Sequence, residues 1–299
     1  MKVSFADVMI PTTGALGLGV IKGGKLGPLG ESIDKKAGGA LKRAIKASER
    51  FDGDKGQTIE VMAPGGTKLS RIVLIGLGKP EDFDQKAAES VGGTFARRIG
   101  GTGETKAALA IDAAKATKVD GFKLAARAGY GARLGTYRFD AYRTKEKPEK
   151  KPSLQELAVL TDDRTQAQKR FGTLDKVAEG IFFTRDLVTE PPNVLYPKTL
   201  ARRAASLSKL GVKVEVLDQQ KLAQLGMGSL LGVAQGSDHE PYVVVMQWNG
   251  AGRGKAPVAL IGKGVTFDSG GLTIKPSSSM MNRSEEHTSE LQSRLHLVC

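Results

Sequence analysis

Residues 260–276 read LIGKGVTFDSGGLTIKP, and the interpretation of the whole chain depends on this stretch. A run rich in Val, Ile and Leu leads into it, and Lys263 and Asp268 then stand five residues apart. Residues at that spacing face opposite sides of an unbroken strand, so these two side chains converge only if the chain bends. Gly264 lies between them and permits such a bend.

The second half of the stretch adds two glycines and a second lysine. Gly270 and Gly271 let the backbone pass close to a ligand or an ion, and Lys275 follows four residues later. One carboxylate and two lysines at strand ends suit an anionic or metal-bound site at the carboxyl edge of a sheet. A plain hairpin with a surface lysine is the alternative that these residues leave open.

Outward from this stretch, short apolar runs alternate with helical patterns. The expected strands cover residues 3–9, 58–62, 71–76, 107–111, 157–161, 212–217, 242–248 and 258–261, and the expected helices cover 33–47, 83–98, 121–134, 166–188 and 198–209. Such alternation is typical of α/β layers built on mostly parallel sheets. We expect a domain boundary near residue 165, with one α/β domain at 1–165 and a second at 166–282.

The last 17 residues, 283–299, read RSEEHTSELQSRLHLVC and differ in composition from the rest of the chain. They contain no glycine, although the chain has 38, and they carry two of its three histidines and its only cysteine. The segment is similar to a translated cloning or sequencing adaptor, so we interpret it as a non-native tail. A genuine amphipathic C-terminal helix is the alternative.

The scarcity of cysteine and histidine excludes several kinds of site. The single cysteine is Cys299, and the histidines are His239, His287 and His296. These counts exclude an intrachain disulfide framework, zinc fingers and the two-histidine zincin motif. A Ser-His-Asp triad would have to use His239. Any metal site is therefore expected to use carboxylates, carbonyls or lysine.

The positive charge is concentrated in the first half of the chain. Residues 1–151 carry 28 Lys/Arg and 17 Asp/Glu, a net charge of +11, against +13 for all residues. A basic surface attracts nucleic acid without sequence preference, but no helix-turn-helix, RNP or zinc signature accompanies it. No uncharged apolar run reaches the ~20 residues that a membrane helix needs, and no signal peptide is visible. We expect a cytoplasmic protein without membrane association.

A central motif and several supporting stretches share one family pattern. They are residues 262–271 with Lys275, Pro276 and Met280, then 185–197, 221–236 and 244–250, and more weakly 1–165. Together they resemble the leucyl aminopeptidases, the cytosol aminopeptidase family of the M17 type. The resemblance implies an N-terminal α/β domain with macro-like layering, followed by an α/β/α metallopeptidase catalytic domain, assembled as a homohexamer. It also implies an enzyme that hydrolyses peptides and releases N-terminal residues, preferentially leucine.

The resemblance also implies roles for three residues. By position, Lys263 corresponds to a ligand of one of two divalent metal ions, Mn or Zn, and Asp268 corresponds to the carboxylate that bridges both. Lys275 corresponds to the lysine that hydrogen-bonds the carbonyl oxygen of the substrate, where negative charge develops. In two-metal hydrolases the metals supply a nucleophilic water at neutral pH.

The sequence departs from the family pattern after Lys275. The family continues with a further metal-binding aspartate and with an Asn-Thr-Asp-Ala-Glu-Gly-Arg motif whose arginine holds a bicarbonate base, and this sequence contains neither. We therefore expect an N-terminal fragment of an aminopeptidase, joined to the tail and inactive as written. The competing hypothesis is a non-enzymatic module that binds DNA or nucleotides through its basic N-terminal domain.

Overall fold

The computed structural model describes residues 1–113, 119–251, 254 and 256–281. The chain divides into two compact units, Met1–Arg185 and Asp186–Cys299. The tail expected at 283–299 lies outside the described residues, so its interpretation stays a prediction. Among the helices that are described, none is both long and apolar enough to span a membrane.

Within the described residues, a sheet of seven strands forms the centre of the first unit. Its strands are β1 (Lys2–Ala6), β2 (Ala15–Ile21), β3 (Lys25–Leu26), β4 (Thr58–Met62), β5 (Arg71–Gly78), β6 (Lys106–Ala110) and β7 (Glu156–Leu160). The order across the sheet is β1-β7-β6-β2-β5-β4, with β3 beside β2. The strands from β1 to β5 in that order run parallel, whereas β3 and β4 are antiparallel to their neighbours. The expected α/β class with a mostly parallel sheet is confirmed for this unit.

Helices cover both faces of this sheet. They are α1 (Pro28–Lys36), α2 (Ala40–Ala47), α3 (Gln85–Gly100), α4 (Gly121–Gly135) and α5 (Arg164–Thr189). Alternate residues of β5 point to opposite faces. Val73 and Ile75 join a core that includes residues of α3, α4 and α5, whereas Ile72 and Leu74 join a second core with residues of α1 and α2. The sheet is therefore buried on both sides, as is usual for parallel strands.

The sequence-based prediction missed β2, which lies between β5 and β6. Its sequence ALGLGVI looks like a glycine-rich turn. In the structure the glycines make room for larger neighbours. An ideal Cβ on Gly17 would lie 2.9 Å from the ring of Phe95 in α3, and one on Gly19 would lie 2.7 Å from Cδ1 of Leu77. Glycine here permits close packing against the strand, which a local pattern does not reveal.

The single helix expected at 33–47 is in fact two helices, α1 and α2. Gly38 and Gly39 separate them with φ angles of +60° and +82°, which a continuous right-handed helix excludes. The buried carboxylate of Asp34 accepts hydrogen bonds from the backbone N–H groups of Leu41 at 2.8 Å and Lys42 at 3.1 Å. Asp34 lies in the preceding helix α1 and thereby supplies a hydrogen-bond acceptor for backbone N–H groups in the first turn of α2. The prediction was wrong because it ran the helix through both glycines.

Most of helix α5 belongs to the first unit. Phe171 and Ala178 are buried in the core that also contains residues of α3 and α4, and the ring of Phe171 lies 5.4 Å from that of Phe5. The compact unit therefore continues past residue 165 to Arg185. The domain boundary expected near residue 165 stays a prediction.

The second unit contains α6 (Pro197–Ala205), β8 (Lys213–Leu217), α7 (Gln219–Gln224), α8 (Gly228–Ala234), β9 (Val243–Gln247) and α9 (Ser277–Met281). Strands β8 and β9 pair antiparallel, which differs from the mostly parallel sheets expected. Residues 258–261 were expected to form a strand, but they lie outside any strand or helix and are exposed. Strand pairing depends on a distant partner, so an apolar run alone does not establish it.

Candidate functional site

A tight turn at residues 268–275 forms the centre of the predicted site. Gly270 adopts a φ of +88°, in the left-handed region that favours glycine. An ideal Cβ on Gly270 would lie 2.2 Å from the carbonyl oxygen of Thr273, so a side chain does not fit there. The backbone N–H of Lys275 donates a hydrogen bond of 2.8 Å to the carbonyl of Ser269 and closes the turn. The turn therefore brings the Lys275 side chain back to Asp268, the residue at which the turn begins.

Asp268 and Lys275 are in direct contact across this turn. The ammonium of Lys275 donates to Oδ2 of Asp268 at 3.1 Å, and the backbone N–H of Gly270 donates to Oδ1 at 2.8 Å. The hydrogen bond from Gly270, the hydrogen bond from Lys275 and the charges of Lys275 and Lys263 hold the pKa of Asp268 below its ordinary value, against the opposing effect of burial. The side chains of Asp268 and Lys275 are 48% and 22% exposed, so water and salt partly screen the pair. Asp268 is therefore an ionised carboxylate at neutral pH.

Of the three predicted site residues, the structure brings Lys275 and Asp268 into direct contact. The positive charge of Lys263 contributes to the lowered pKa of Asp268. Gly264, where a bend was expected, does not adopt a positive φ. An ideal Cβ on Gly264 would lie 3.1 Å from Cδ2 of Leu200 in α6, so its missing side chain allows close packing against that helix.

The donor types at this site suit a divalent metal, but their number is small. Asp268 offers carboxylate oxygens, and a lysine such as Lys263 binds a metal only through a neutral amine. In the part of the chain that the structure describes, no three His, Cys, Asp or Glu side chains are grouped so that they could hold a metal ion. Zinc usually takes about four ligands and manganese about six. The two lysines and one carboxylate at this site are therefore fewer donors than either ion usually takes.

His239, on which a Ser-His-Asp triad would depend, is engaged in an aromatic stack. Its ring lies parallel to that of Tyr196, with centroids 4.3 Å apart and an angle of 15° between the planes. A groove of about 500 Å³ opens beside it, lined by residues of α7, α8 and the loop at 237–241. Sequence reasoning missed this stack because the two residues lie far apart in the chain and belong to no common motif.

Two family models match the chain, and both describe the same family. The catalytic domain of the cytosol aminopeptidase family matches residues 182–287, and its N-terminal domain matches residues 18–146. The turn at 268–275 lies inside the catalytic match.

Curated relatives agree with these matches. A "Probable cytosol aminopeptidase" of Caulobacter vibrioides is 42% identical over 283 residues, which cover 94% of this chain and 56% of the relative. A protein of the same name from Gluconobacter oxydans is 45% identical over 253 residues, covering 83% of this chain and 49% of the relative. This chain spans about half the length of the curated relatives it matches.

Solved structures show the same similarity. A mutant of tomato leucine aminopeptidase aligns with a TM-score of 0.79 and 25% identity, covering 91% of this chain and 55% of the tomato chain. The bottromycin maturation enzyme BotP, solved in complex with Mn, aligns with a TM-score of 0.66 and 26% identity, covering 89% of this chain and 51% of that chain.

Proposed function

We propose that this chain, which belongs to the cytosol aminopeptidase family, contributes to the active site of a metal-dependent aminopeptidase that releases N-terminal residues, preferentially leucine, from peptides. The observation that carries the proposal is the glycine turn that holds Asp268 against Lys275 inside the segment matched by the catalytic-domain model. The names of the relatives support the enzyme class, and the tomato leucine aminopeptidase supports the leucine preference.

Two divalent metal ions, Mn or Zn, are the proposed cofactors. We assign Lys263 and Asp268 as ligands, because an amine nitrogen and a carboxylate suit these ions. The Mn-bound neighbour supports metal dependence. When bound, the metals would supply a nucleophilic water at neutral pH. Asp268 is suited to receive a cation, since its lowered pKa means that no proton has to leave first.

Lys275 is proposed to donate a hydrogen bond to the carbonyl oxygen of the substrate. An ammonium group carries three N–H donors, so its contact with Asp268 is compatible with such a bond. The carbonyl oxygen gains negative charge as the peptide bond is attacked, and a fixed cation stabilises that charge more than the ground state. The contact with Asp268 also restricts the long lysine side chain before the substrate arrives, which lowers the entropy cost of orienting it.

Several further features complete the proposal. The proposed substrates are peptides, and the proposed assembly is a homohexamer. The proposed location is the cytoplasm, in keeping with the word "cytosol" in the names of the relatives. A bicarbonate base was expected on an arginine motif that this sequence does not contain, and it stays a prediction. The matched family and relatives give no support to the DNA- or nucleotide-binding alternative.

The test uses a chimera in which residues 1–281 of this chain replace the matched 283 residues of the Caulobacter vibrioides relative. We expect Mn²⁺-dependent hydrolysis of leucyl-p-nitroanilide that a chelator abolishes. N-acetyl-leucyl-p-nitroanilide, whose amine is blocked, is the matched control and should remain intact. A folded chimera that hydrolyses neither substrate with Mn²⁺ or Zn²⁺ would refute the proposed function.

A further inference from the structure

The first unit contains a small cavity that the proposed function does not use. It lies between the carboxyl-terminal half of β5 and the first turns of α3, and its volume is about 60 Å³. In α/β proteins, ligands bind near the carboxyl ends of parallel strands, so this position favours a ligand site. The walls are apolar and belong to the core of the unit, and they are formed by Ile75, Leu77, Phe83, Ala87 and Val91.

The volume of the cavity limits the size of its occupant. A water molecule needs about 10–15 Å³ of such space, so 60 Å³ admits about four to six non-hydrogen atoms. Water is a poor occupant between apolar walls, because a buried water molecule needs about two to four polar partners. A branched aliphatic group of four carbons, such as the isobutyl side chain of leucine, suits both the volume and the walls.

The mouth of the cavity carries a positive charge. Among the described residues that line the cavity, Lys55 alone is charged, and Ser90 and Thr94 contribute hydroxyl groups. Lys55 and Ser90 are exposed, so this side of the cavity opens to solvent. The ammonium of Lys55 donates a hydrogen bond of 3.2 Å to the carbonyl oxygen of Asp82. An ammonium group carries three N–H donors, so this contact is compatible with a second bond to the carboxylate of a ligand.

Negative charge also lies close to the mouth. Glu81 and Asp82 belong to the short 3-10 helix Pro80–Asp82, which directly precedes Phe83 of the cavity wall. These carboxylates repel a ligand that is only an anion, whereas they attract a ligand that also carries an ammonium group. A four-carbon aliphatic group joined to both a carboxylate and an ammonium is the structure of a branched-chain α-amino acid.

We propose that this cavity binds a free α-amino acid with a branched four-carbon side chain, such as leucine. The side chain lies between β5 and α3, and the carboxylate contacts the ammonium of Lys55. The cavity residues lie outside the segment 182–287 that the catalytic-domain model matches, so this site differs from the turn at 268–275. The proposal does not rest on the proposed function. If that function is correct, the cavity would also sense the leucine that the reaction releases.

The experiment titrates the metal-free 299-residue chain with leucine, by calorimetry and by NMR of the methyl groups. A ligand of about nine non-hydrogen atoms is expected to bind with a Kd on the order of 1 mM. We expect nuclear Overhauser effects between the methyl groups of leucine and those of Val91. Alanine lacks most of the aliphatic side chain and should bind at least about tenfold more weakly. The anion 4-methylpentanoate, which is leucine without its ammonium, should also bind more weakly.

Two variants with matched controls test the cavity directly. Ala87→Leu fills the cavity and should abolish leucine binding, whereas Ala44→Leu, at a half-buried position of α2 on the other face of the sheet, should not. Lys55→Met should weaken binding roughly three- to tenfold, because it removes a partly screened contact with the carboxylate. Lys46→Met removes an exposed charge on α2 and should leave binding unchanged. Since Lys55 is exposed, its variant tests the site even if the added volume at residue 87 disturbs folding.

The possible outcomes distinguish this proposal from the proposed function. Absence of saturable leucine binding at about ten times the expected Kd, or binding that neither Ala87→Leu nor Lys55→Met changes, would overturn the cavity as a leucine site. Equal affinity for leucine and 4-methylpentanoate would overturn the assignment to an amino acid. The titration contains no metal and no peptide, so its failure would not affect the proposed function. A chimera that hydrolyses no peptide substrate would refute that function and would not affect the cavity.

Discussion

Asp268 receives both of its hydrogen bonds from its own turn. The backbone N–H of Gly270 donates at 2.8 Å and the ammonium of Lys275 at 3.1 Å. The carboxylate is thus oriented by the local turn at residues 268–275 rather than by distant packing, which pre-organises it for a ligand. Because a proposed metal ligand and a proposed substrate donor touch each other, only separate measurements of metal binding and turnover distinguish their roles.

Substitution of each residue in the chimera should produce different defects. Lys275→Ala is expected to lower kcat by about 10²–10³ at saturating Mn²⁺, because it removes one donor from the oxygen where charge develops. Asp268→Ala should first weaken Mn²⁺ binding, because it removes the carboxylate proposed to bind the metals and to screen their charges from each other. The measurements are kcat at saturating metal and a Mn²⁺ titration. If excess metal restored full activity to Lys275→Ala, Lys275 would belong with Lys263 among the metal ligands.

The two glycines of the turn should respond differently to alanine. Both have a positive φ, +88° at Gly270 and +60° at Gly271, and an alanine in that conformation costs roughly 1–2 kcal/mol. Only Gly270 adds a clash, with the carbonyl oxygen of Thr273 at 2.2 Å from an ideal Cβ, whereas Gly271 has nothing within 4 Å. We expect Gly271→Ala to speed hydrogen exchange of the Lys275 amide about tenfold and Gly270→Ala to abolish its protection. Equal exchange rates in the two variants would contradict this account of the turn.

How far the sequence predicted the elements depends on whether the decisive contact is local. Helices α3 and α4 were expected at 83–98 and 121–134 and occur at Gln85–Gly100 and Gly121–Gly135, because helical periodicity is a local property. Strand β2 was missed because Gly17 and Gly19 leave room for the side chains of Phe95 and Leu77, which are distant in sequence.

At the candidate site, the motif supplied Lys263, Asp268 and Lys275, and the glycine pair indicated a close approach of the backbone. The contact between Lys275 and Asp268 was not predicted. It depends on the exact φ angles at Gly270 and Gly271, which residue types permit but do not specify.

Helices α3 and α4 pack with their backbones in contact, through glycines on both. An ideal Cβ on Gly131 of α4 would lie 1.8 Å from the carbonyl oxygen of Glu89 in α3, and one on Gly92 would lie 1.8 Å from that of Ala128. Backbone atoms cannot move aside as a side chain can, so any substitution here must separate the helices.

We therefore expect Gly131→Ala to lower the free energy of unfolding by at least about 1–3 kcal/mol, the usual cost of overpacking. The matched control is Gly172→Ala on α5, where an added Cβ meets nothing within 4 Å. That variant should raise the free energy of unfolding by roughly 0.5–1 kcal/mol through helix propensity. Urea denaturation followed by circular dichroism measures both. A neutral effect of Gly131→Ala would show that the helices separate at little cost.

The two units of the chain differ in how much apolar surface they bury. The first unit has large buried side chains on both faces of its sheet, including Phe83, Phe95 and Leu109. Among the described residues of the second unit, the buried apolar side chains are those of Leu195, Ala201 and Leu222. Because burial of apolar surface is the main favourable contribution to folding, most of the stability of the chain resides in the first unit.

The first unit should therefore fold in isolation, and the position of its end is testable. We expect the polypeptide 1–165 to show a cooperative thermal transition, since it has the complete sheet and α1 to α4. The polypeptide 1–185 should melt roughly 5–10 °C higher, because α5 adds the buried ring of Phe171 to the core. Within 1–185, Phe171→Ala should remove much of that difference. Val177→Ala, at a half-exposed position of the same helix, should not. A random-coil spectrum for 1–165 would move the end of the folding unit to Arg185, and equal melting temperatures for the two polypeptides would show that α5 adds nothing to the core.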